Sequence, residues 1–214
     1  MTRLIIVRHG ESESNRKKTF TGQLDIALSD LGKKQAELVK KYLKDYKIDK
    51  IYSSDLSRAY NTALPTAESK GIEIQTSKNL REIYAGEWEG KTFDDIEKEY
   101  PDTYSVWRSN IGIAVCNGGE SVKELKERVE KEVGRIVAEN EGKTVMIVSH
   151  GTPIRSLLCI WKGADVSDMQ DIRWVPNASV SIAEYSDTSS LPEIVLYGYD
   201  EFLEGAITNL PANV

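Results

Sequence analysis

The chain contains only two histidines, and both follow an apolar run and precede a glycine. Residues 4–7 lead into Arg8-His9-Gly10, and residues 145–148 lead into Ser149-His150-Gly151. Short continuous apolar runs rich in β-branched residues are typical of strands buried inside a parallel sheet. The repeated pattern therefore predicts two core strands, each of which delivers polar side chains to its carboxyl end, where the binding groups of α/β sheets are commonly found.

The rest of the chain alternates between helical and strand patterns. Helices are predicted over 29–43, 56–70 and 121–140, with a further helix opened by Thr152-Pro153, and strands over 49–53, 72–75, 179–185 and 193–198. Gly71 and Gly142 are expected to end two of the helices, and the helix over 56–70 is expected despite Pro65, which could kink it or mark its break. This alternation predicts an α/β fold, with three α/β/α layers around a mostly parallel, mixed central sheet.

Residues 91–119 are less regular than their surroundings. They contain Pro101 and an uncharged stretch over 110–119, which predicts helical pieces joined by a loop. We expect this segment to form a small cap or lid insertion. With 214 residues and 40% apolar composition, the whole chain (1–214) is expected to be a single domain.

Composition limits the partners and the location. No segment has the roughly 18 uncharged apolar residues of a membrane span, and the four apolar residues after Met1-Thr2-Arg3 are too few for a signal peptide. We therefore expect a cytoplasmic protein without membrane contact. A formal charge of -6 argues against a nucleic-acid partner. Cys116 and Cys159 are expected to be free thiols. The sequence leaves the oligomeric state open, a homodimer included.

Three interpretations of the histidine pair remain open at this point. Both residues could be satisfied side chains at strand ends, which is the ordinary fate of two unrelated histidines. They could share a metal ion, but no carboxylate or cysteine lies at ligand spacing from either, so neither a metal nor another cofactor is expected. Alternatively, they could be a nucleophile and its partner.

A longer set of motifs bears on this choice. The stretch Arg8-His9-Gly10-Glu11-Ser12 resembles the signature of the histidine phosphatase superfamily, the phosphoglycerate mutase-like proteins. The resemblance continues through Asn15, Thr21-Gly22-Gln23-Leu24-Asp25, Leu28-Ser29, Leu31-Gly32, residues 53–59, Leu80, Glu82, Gly86, Trp88-Glu89-Gly90, Gly118-Gly119-Glu120-Ser121 and Ser149-His150-Gly151. It implies the family's fold and a phosphoryl-transfer site built without a metal.

The resemblance assigns roles to particular residues. The catalytic set is His9, Glu82, His150, Arg8 and Arg58, and the substrate-binding set is Asn15, Thr21, Gly22, Gln23 and Gly151. His9 would carry the phosphoryl group, because a neutral imidazole is a good nucleophile near pH 7. The two arginines would supply forked donors to the phosphoryl oxygens, and His150 would lie beside His9 as a second positive pole when protonated.

Glu82 is the candidate for protonating the leaving group. The competing interpretation is that Glu82 only pairs with Arg58 or Arg81, which would disable it as an acid. An ordinary surface ion pair is the competing interpretation of the arginines; the motifs around Arg8 and Arg58 favour the site role for these two, whereas the ion-pair interpretation is kept for Arg81. Glu11 is expected to be a structural acceptor that orients the loop.

The branch within the family is indicated by the segment after Glu82. Mutases typically have Glu-Arg-His-Tyr-Gly, whereas this chain has Glu82-Ile83-Tyr84-Ala85-Gly86. Residues 85–120 contain three basic and eight acidic side chains, which is unsuited to gripping a phosphorylated acid. We therefore expect a phosphomonoesterase acting on a small phosphorylated metabolite. The alternatives are a mutase and a non-catalytic phosphate-binding protein. Tyr84, Trp88 and Trp107 either wall the pocket or belong to the core.

Overall fold

One mixed sheet of six strands organises the chain, for which a computed structural model describes residues 1–187 and 190–209. The strands are β1 (Thr2–Arg8), β2 (Lys50–Ser54), β3 (Ile74–Ser77), β4 (Thr144–Ser149), β5 (Val180–Tyr185) and β6 (Glu193–Tyr199), in the order β3-β2-β4-β1-β5-β6. The first four are mutually parallel, and β5 pairs antiparallel with both β1 and β6. The predicted mostly parallel, mixed sheet is confirmed.

Helices cover both faces of this sheet. They are α1 (Glu13–Lys17), α2 (Asp30–Tyr42), α3 (Ser57–Lys70), α4 (Phe93–Glu99), α5 (Pro101–Ser109), α6 (Val122–Glu139) and α7 (Gly151–Trp161). Successive side chains of a strand point to opposite faces, so Leu4 and Ile6 of β1 join one apolar cluster while Ile5 and Val7 join the other. The first cluster includes α6, α7 and the 93–113 segment, and the second includes α2 and α3. The three predicted layers are thus present.

Most element boundaries follow from local signals. Ser29 caps α2, and Ser121 forms with Glu124 the capping box that opens α6. Two boundaries were predicted wrongly. β3 begins at Ile74 because the Ile72 N–H is used to close α3 on Ala67, after Gly71 has turned left-handed. α7 begins at Gly151, one residue before the predicted start, with His150 as its N-cap residue. The predicted helices over 121–140 and 56–70 are confirmed by α6, whose caps are Ser121 and Asn140, and by α3, which continues through Pro65.

The predicted insertion consists of α4, α5 and a short 3-10 turn over Ile111–Ile113. It is joined to the rest of the chain through rings: Phe20 makes edge-to-face contacts with Trp88, Trp107 and Phe93 at centroid distances of 5.6, 5.2 and 6.1 Å. Aromatic pairs at such distances are mutually stabilising. The segment is therefore a packed wall, and its movement as a lid stays a prediction.

Two further expectations concern the cysteines and membrane-spanning helices. Cys116 and Cys159 are buried free thiols, as predicted. Within residues 1–187 and 190–209, no helix has both the length and the apolar composition needed to cross a bilayer.

Candidate active site

The two histidines meet because their strands are neighbours. β1 and β4 run parallel with Arg8 opposite Ser149, and the His9 N–H donates to the Ser149 carbonyl at 2.9 Å. Residues that follow in-register parallel strands emerge at the same edge of the sheet. The ring centroids of His9 and His150 lie 5.0 Å apart, with the ring planes inclined by 58°. The central expectation from the sequence is thereby met.

One hydrogen bond fixes the tautomer of His9. Its Nδ1 lies 2.6 Å from the Gly10 carbonyl oxygen, which can only accept, so Nδ1 carries the proton. Nε2 is then left with its lone pair. Burial lowers the pKa of His9 well below its usual 6.5, and the charges of Arg58 and Arg8 lower it further. His9 is therefore a neutral imidazole at neutral pH, which is the form a nucleophile requires.

His150 differs from the expectation in two respects. It is fully buried and does not line the pocket described below. Burial, followed by the charges of Arg58 and His9, lowers the pKa of His150 well below 6.5, so the ring is neutral rather than a second positive pole. Neither ring nitrogen has a hydrogen-bond partner within the described residues. His150 thus places an unused N–H beside His9.

The two arginines of the predicted site are buried rather than exposed, and neither forms an ion pair within the described part of the chain. One terminal nitrogen of Arg8 donates to the Val175 carbonyl at 2.7 Å, and its Nε has no described partner. Arg58 donates to the carbonyls of Gly22 and Leu24, both at 2.8 Å. Burial lowers the pKa of each arginine to about 10, so both remain charged at neutral pH.

The surface ion-pair interpretation is therefore wrong for both arginines. It is correct for Arg81, which holds both carboxylate oxygens of Asp55 at 2.6 Å. Two guanidinium groups without a contacting carboxylate, beside a neutral imidazole, give the site a net positive charge. Such a site favours an anion, because buried charges are otherwise compensated by partners.

Asn15 is oriented by the loop that follows His9. Its Oδ1 accepts from the Ser12 N–H at 3.1 Å, from Ser12 Oγ at 2.9 Å and from Asn177 Nδ2 at 3.4 Å. A backbone N–H can bond only to the oxygen of the amide, so Nδ2 is the end left for the pocket that Asn15 lines. The structural and the binding role that the sequence allows are therefore compatible.

The segment around Gly22 also reaches the pocket. Thr21 and Gly22 line it, and Gly22 has a left-handed φ of +53° at a point where any Cβ would collide with the Glu89 carboxylate. Gln23 does not line the pocket, contrary to expectation. Its amide donates to the Glu82 carbonyl at 3.1 Å and accepts from Arg81 at 3.3 Å, so both ends of its side chain are engaged elsewhere.

Glu82 lines the pocket together with Gly151. One carboxylate oxygen accepts from the Ile83 N–H at 2.8 Å and the other from the Thr152 N–H at 3.3 Å. Among the described residues, neither Arg58 nor Arg81 lies within ion-pairing distance of it, so the competing interpretation of Glu82 is not realised. Glu11 behaves as expected, since it accepts from Ser29 Oγ at 2.7 Å and carries no pocket contact.

The pocket has a cavity volume of about 50 Å³, with a polar floor and aromatic walls. The floor carries His9, both arginines, Asn15 and Glu82. The lining further includes Thr19, Phe20, Phe93, Trp107, Thr152 and Trp174. Of the three aromatic residues considered from the sequence, only Trp107 forms a wall. Trp88 is fully buried in the core and Tyr84 is exposed outside the pocket.

Two functional contributors carried no usable signal in the sequence. Trp174 and Asn177 lie on the irregular segment before β5, and Asn177 donates to the His9 carbonyl at 2.9 Å. The adjacent Ala178 N–H donates to the Arg8 and His9 carbonyls. A segment about 170 residues away in sequence thereby fixes the backbone of His9, and only the antiparallel pairing of β5 with β1 brings it there.

Comparisons with known proteins agree with this geometry. The family model for the histidine phosphatase superfamily (branch 1) matches residues 4–198. Phosphoserine phosphatase 1 of Hydrogenobacter thermophilus is 36% identical over 182 residues, covering 85% of this chain and 86% of that protein. Glucosyl-3-phosphoglycerate phosphatase of Mycobacterium tuberculosis is 32% identical over 185 residues, covering 83% and 82%.

A solved structure extends the likeness to the fold. Bacillus stearothermophilus YhfR superimposes with a TM-score of 0.90 at 28% identity, covering 95% of this chain and 100% of that one. No cluster of three or more metal-ligating side chains occurs in the described part of the chain. The family match over most of the chain and the phosphatase relatives lead to one conclusion: the chain belongs to the histidine phosphatase superfamily, branch 1, and is a phosphoric monoester hydrolase.

Proposed function

We propose that the chain hydrolyses phosphomonoesters of small metabolites through a phosphohistidine formed on Nε2 of His9. The observation that carries this proposal is the state of His9: the bond from Nδ1 to the Gly10 carbonyl leaves the Nε2 lone pair as the free nucleophile. The charges of two buried arginines, Arg8 and Arg58, act on the ring, and neither arginine has an acidic partner in contact among the described residues.

The reaction consists of two displacements at phosphorus. In the first, Nε2 forms a bond to phosphorus, the bond from phosphorus to the alcohol oxygen breaks, and Glu82 gives its proton to the departing oxygen. In the second, a water molecule attacks the phosphohistidine, Glu82 takes the water proton, and inorganic phosphate leaves. Glu82 is protonated again at the end, so the cycle closes without another proton source.

Phosphoryl transfer depends mainly on positioning and on charge around the equatorial oxygens. Arg8 and Arg58 supply the charge, while Nδ2 of Asn15 and an N–H of His150 supply neutral donors. Because backbone carbonyls already hold the two arginines and Ser12 holds Asn15, these three side chains need little reorganisation during the reaction.

The lining of the pocket favours an uncharged alcohol portion in the substrate. Arg8 and Arg58 are the only cations among the described lining residues, and the phosphoryl group uses both. Phe20, Phe93, Trp107 and Trp174 face the remainder of the ligand. The two phosphatases named above take their names from phosphoserine and glucosyl-3-phosphoglycerate, which both carry a carboxylate. We expect this chain instead to prefer phosphate esters of apolar or neutral alcohols to phosphoserine and phosphoglycerate.

The test uses purified protein and phosphate release from phenyl phosphate, p-nitrophenyl phosphate, phosphoserine and 3-phosphoglycerate. We expect wild-type turnover, no turnover by His9→Ala, and higher kcat/KM for the two aromatic esters. Conversion of 3-phosphoglycerate to 2-phosphoglycerate is measured in parallel. Mutase turnover faster than hydrolysis would replace this proposal by the mutase alternative, and a His9→Ala variant as active as wild type would end it.

The intermediate can be mapped without ambiguity because the chain has only two histidines. After a rapid alkaline quench, which preserves phosphohistidine, peptide mass spectrometry should place the phosphoryl group on His9. A phosphoryl group on His150, or none on either ring, would contradict the assignment of the nucleophile.

A further inference from the structure

Glu82 lies on a segment that belongs to no strand, and one arginine binds three backbone carbonyls of this segment. Arg128, on α6, donates from one terminal nitrogen to the carbonyls of Asn79 and Arg81 and from the other to the Glu82 carbonyl, each at 2.9 Å. Its Nε and the second terminal nitrogen also donate to the Glu120 carboxylate, at 2.6 and 2.9 Å. All five N–H groups of Arg128 are used.

Glu120 extends this arrangement past Glu82. Its Oε2 accepts from the Tyr84 N–H at 3.2 Å, and its own N–H donates to the Tyr84 carbonyl at 2.7 Å. The backbones approach so closely that a Cβ on Gly119 would collide with the Tyr84 carbonyl oxygen. The segment is thus bonded on both sides of the residue that reaches the pocket.

We propose that Arg128, oriented by Glu120, is a positioning residue that sets the place of the Glu82 carboxyl relative to the leaving group. The proposal rests on the proposed function, in which Glu82 donates the proton. Arg128 is not among the described lining residues of the pocket, so it has no direct route to the substrate, and its charge, which also acts on His150, is kept in the lysine variant used below. Three backbone carbonyls and a carboxylate match a planar fork with five donors, whereas a lysine has three donors on one atom.

The arrangement contributes to stability as well, so the test must separate positioning from folding. Arg128→Lys retains the positive charge and removes the fork. We expect kcat for an alkyl phosphate such as n-butyl phosphate, whose alkoxide needs the proton, to fall about 10- to 100-fold, since displacements near 1 Å cost this much. For p-nitrophenyl phosphate, whose leaving group needs little protonation, the loss should be under about threefold.

Arg135→Lys is the matched control, because Arg135 lies on the same helix and donates only to Glu132 and Glu139 of that helix. Arg135→Lys should leave kcat for both substrates unchanged. Glu120→Gln is the second variant, and it should reproduce the leaving-group dependence of Arg128→Lys even if the latter does not fold. Melting temperatures of all variants report the structural contribution.

A double-mutant cycle with Glu82→Gln decides between the two roles. If Arg128 acts through Glu82, Arg128→Lys will cost little further activity on n-butyl phosphate in the Glu82→Gln background. Equal losses on both substrates, or an undiminished effect without the acid, would overturn the inference while leaving the phosphatase assignment intact. Absence of hydrolysis by the wild-type protein would instead contradict the proposed function itself.

Discussion

Replacing Asn15 by aspartate tests the orientation of the phosphate site. The substitution keeps the oxygen that accepts from the Ser12 N–H and Oγ and from Asn177, and exchanges the Nδ2 donor for a second oxygen. Folding should therefore change little, because the three bonds that fix this side chain all end on Oδ1. Phosphate binding should change greatly, because a donor facing the anion becomes a negative charge.

The size of the effect follows from two estimates that agree. Two unit charges about 4 Å apart interact by about 4 kcal/mol at an effective dielectric constant of about 20. The carboxyl can avoid this repulsion by taking up a proton, which at pH 7 costs about 4.2 kcal/mol for an ordinary aspartate. Either value corresponds to a loss of about 1000-fold in affinity. At pH 5 protonation costs only about 1.5 kcal/mol, and the loss falls to about 10-fold.

The assay is the inhibition constant of inorganic phosphate, compared between wild type and Asn15→Asp at pH 7 and pH 5. Taking the ratio at each pH cancels the ionisation of phosphate itself. Asn61→Asp, a substitution of the same charge on the exposed face of α3, is the control and should give a ratio near one. The assignment of Asn15 Nδ2 as the atom that faces the anion would be refuted if the inhibition constant of Asn15→Asp at pH 7 were less than about threefold above that of wild type, or if the variant were unfolded.

Three other predictions concern stability and metal ions. His9 and His150 both have a pKa well below the unfolded value near 6.5, so the unfolded chain binds more protons than the folded one. The free energy of unfolding should therefore fall as pH drops below 6.5, by up to about 1.4 kcal/mol per pH unit for each ring. Urea unfolding at pH 7.5 and 5.5 measures this change, and equal free energies at the two pH values would contradict the neutral state of the pair. Gly32→Ala should destabilise the fold by about 2 kcal/mol or more, because the added Cβ would collide with the Glu11 carbonyl. Gly134→Ala on α6 places its Cβ in open space and should stabilise the fold by about 0.5–1 kcal/mol. Equal melting temperatures for the two variants would contradict this packing. Finally, an excess of EDTA should leave the turnover of p-nitrophenyl phosphate unchanged, and a loss restored by added metal would argue against the metal-free reaction.

The elements that the sequence predicted well have local causes. Apolar runs of β-branched residues became β1 and β4, and the spacing of Ser121 and Glu124 located the start of α6. The left-handed Gly71 ended α3 as expected, but the bond from the Ile72 N–H back to Ala67 delayed β3, which periodicity alone does not indicate. The predicted boundaries were therefore wrong where backbone hydrogen bonds outside the helices and strands set the observed ones.

The site shows the same difference between features with local causes and features that distant residues decide. The family resemblance indicated His9, Arg8, Arg58 and Glu82, which all line the pocket, but it placed Gln23 there as well and gave His150 as a second positive pole when protonated. Hydrogen bonds to the Glu82 carbonyl and from Arg81 hold the Gln23 side chain outside the pocket, and burial keeps His150 neutral. Both corrections depend on neighbours that are distant in the chain, so no spacing rule in the sequence reveals them.

The sequence by itself determined which chemical groups are available: two histidines that each follow an apolar run, arginines with forked donors, and the carboxylate of Glu82. Tertiary structure decided the state in which each group works. The parallel register of β1 with β4 brought the rings to 5.0 Å, and burial held both rings neutral. Protonation and orientation depend on desolvation and on bonds from remote segments, and these exist only once the chain has folded.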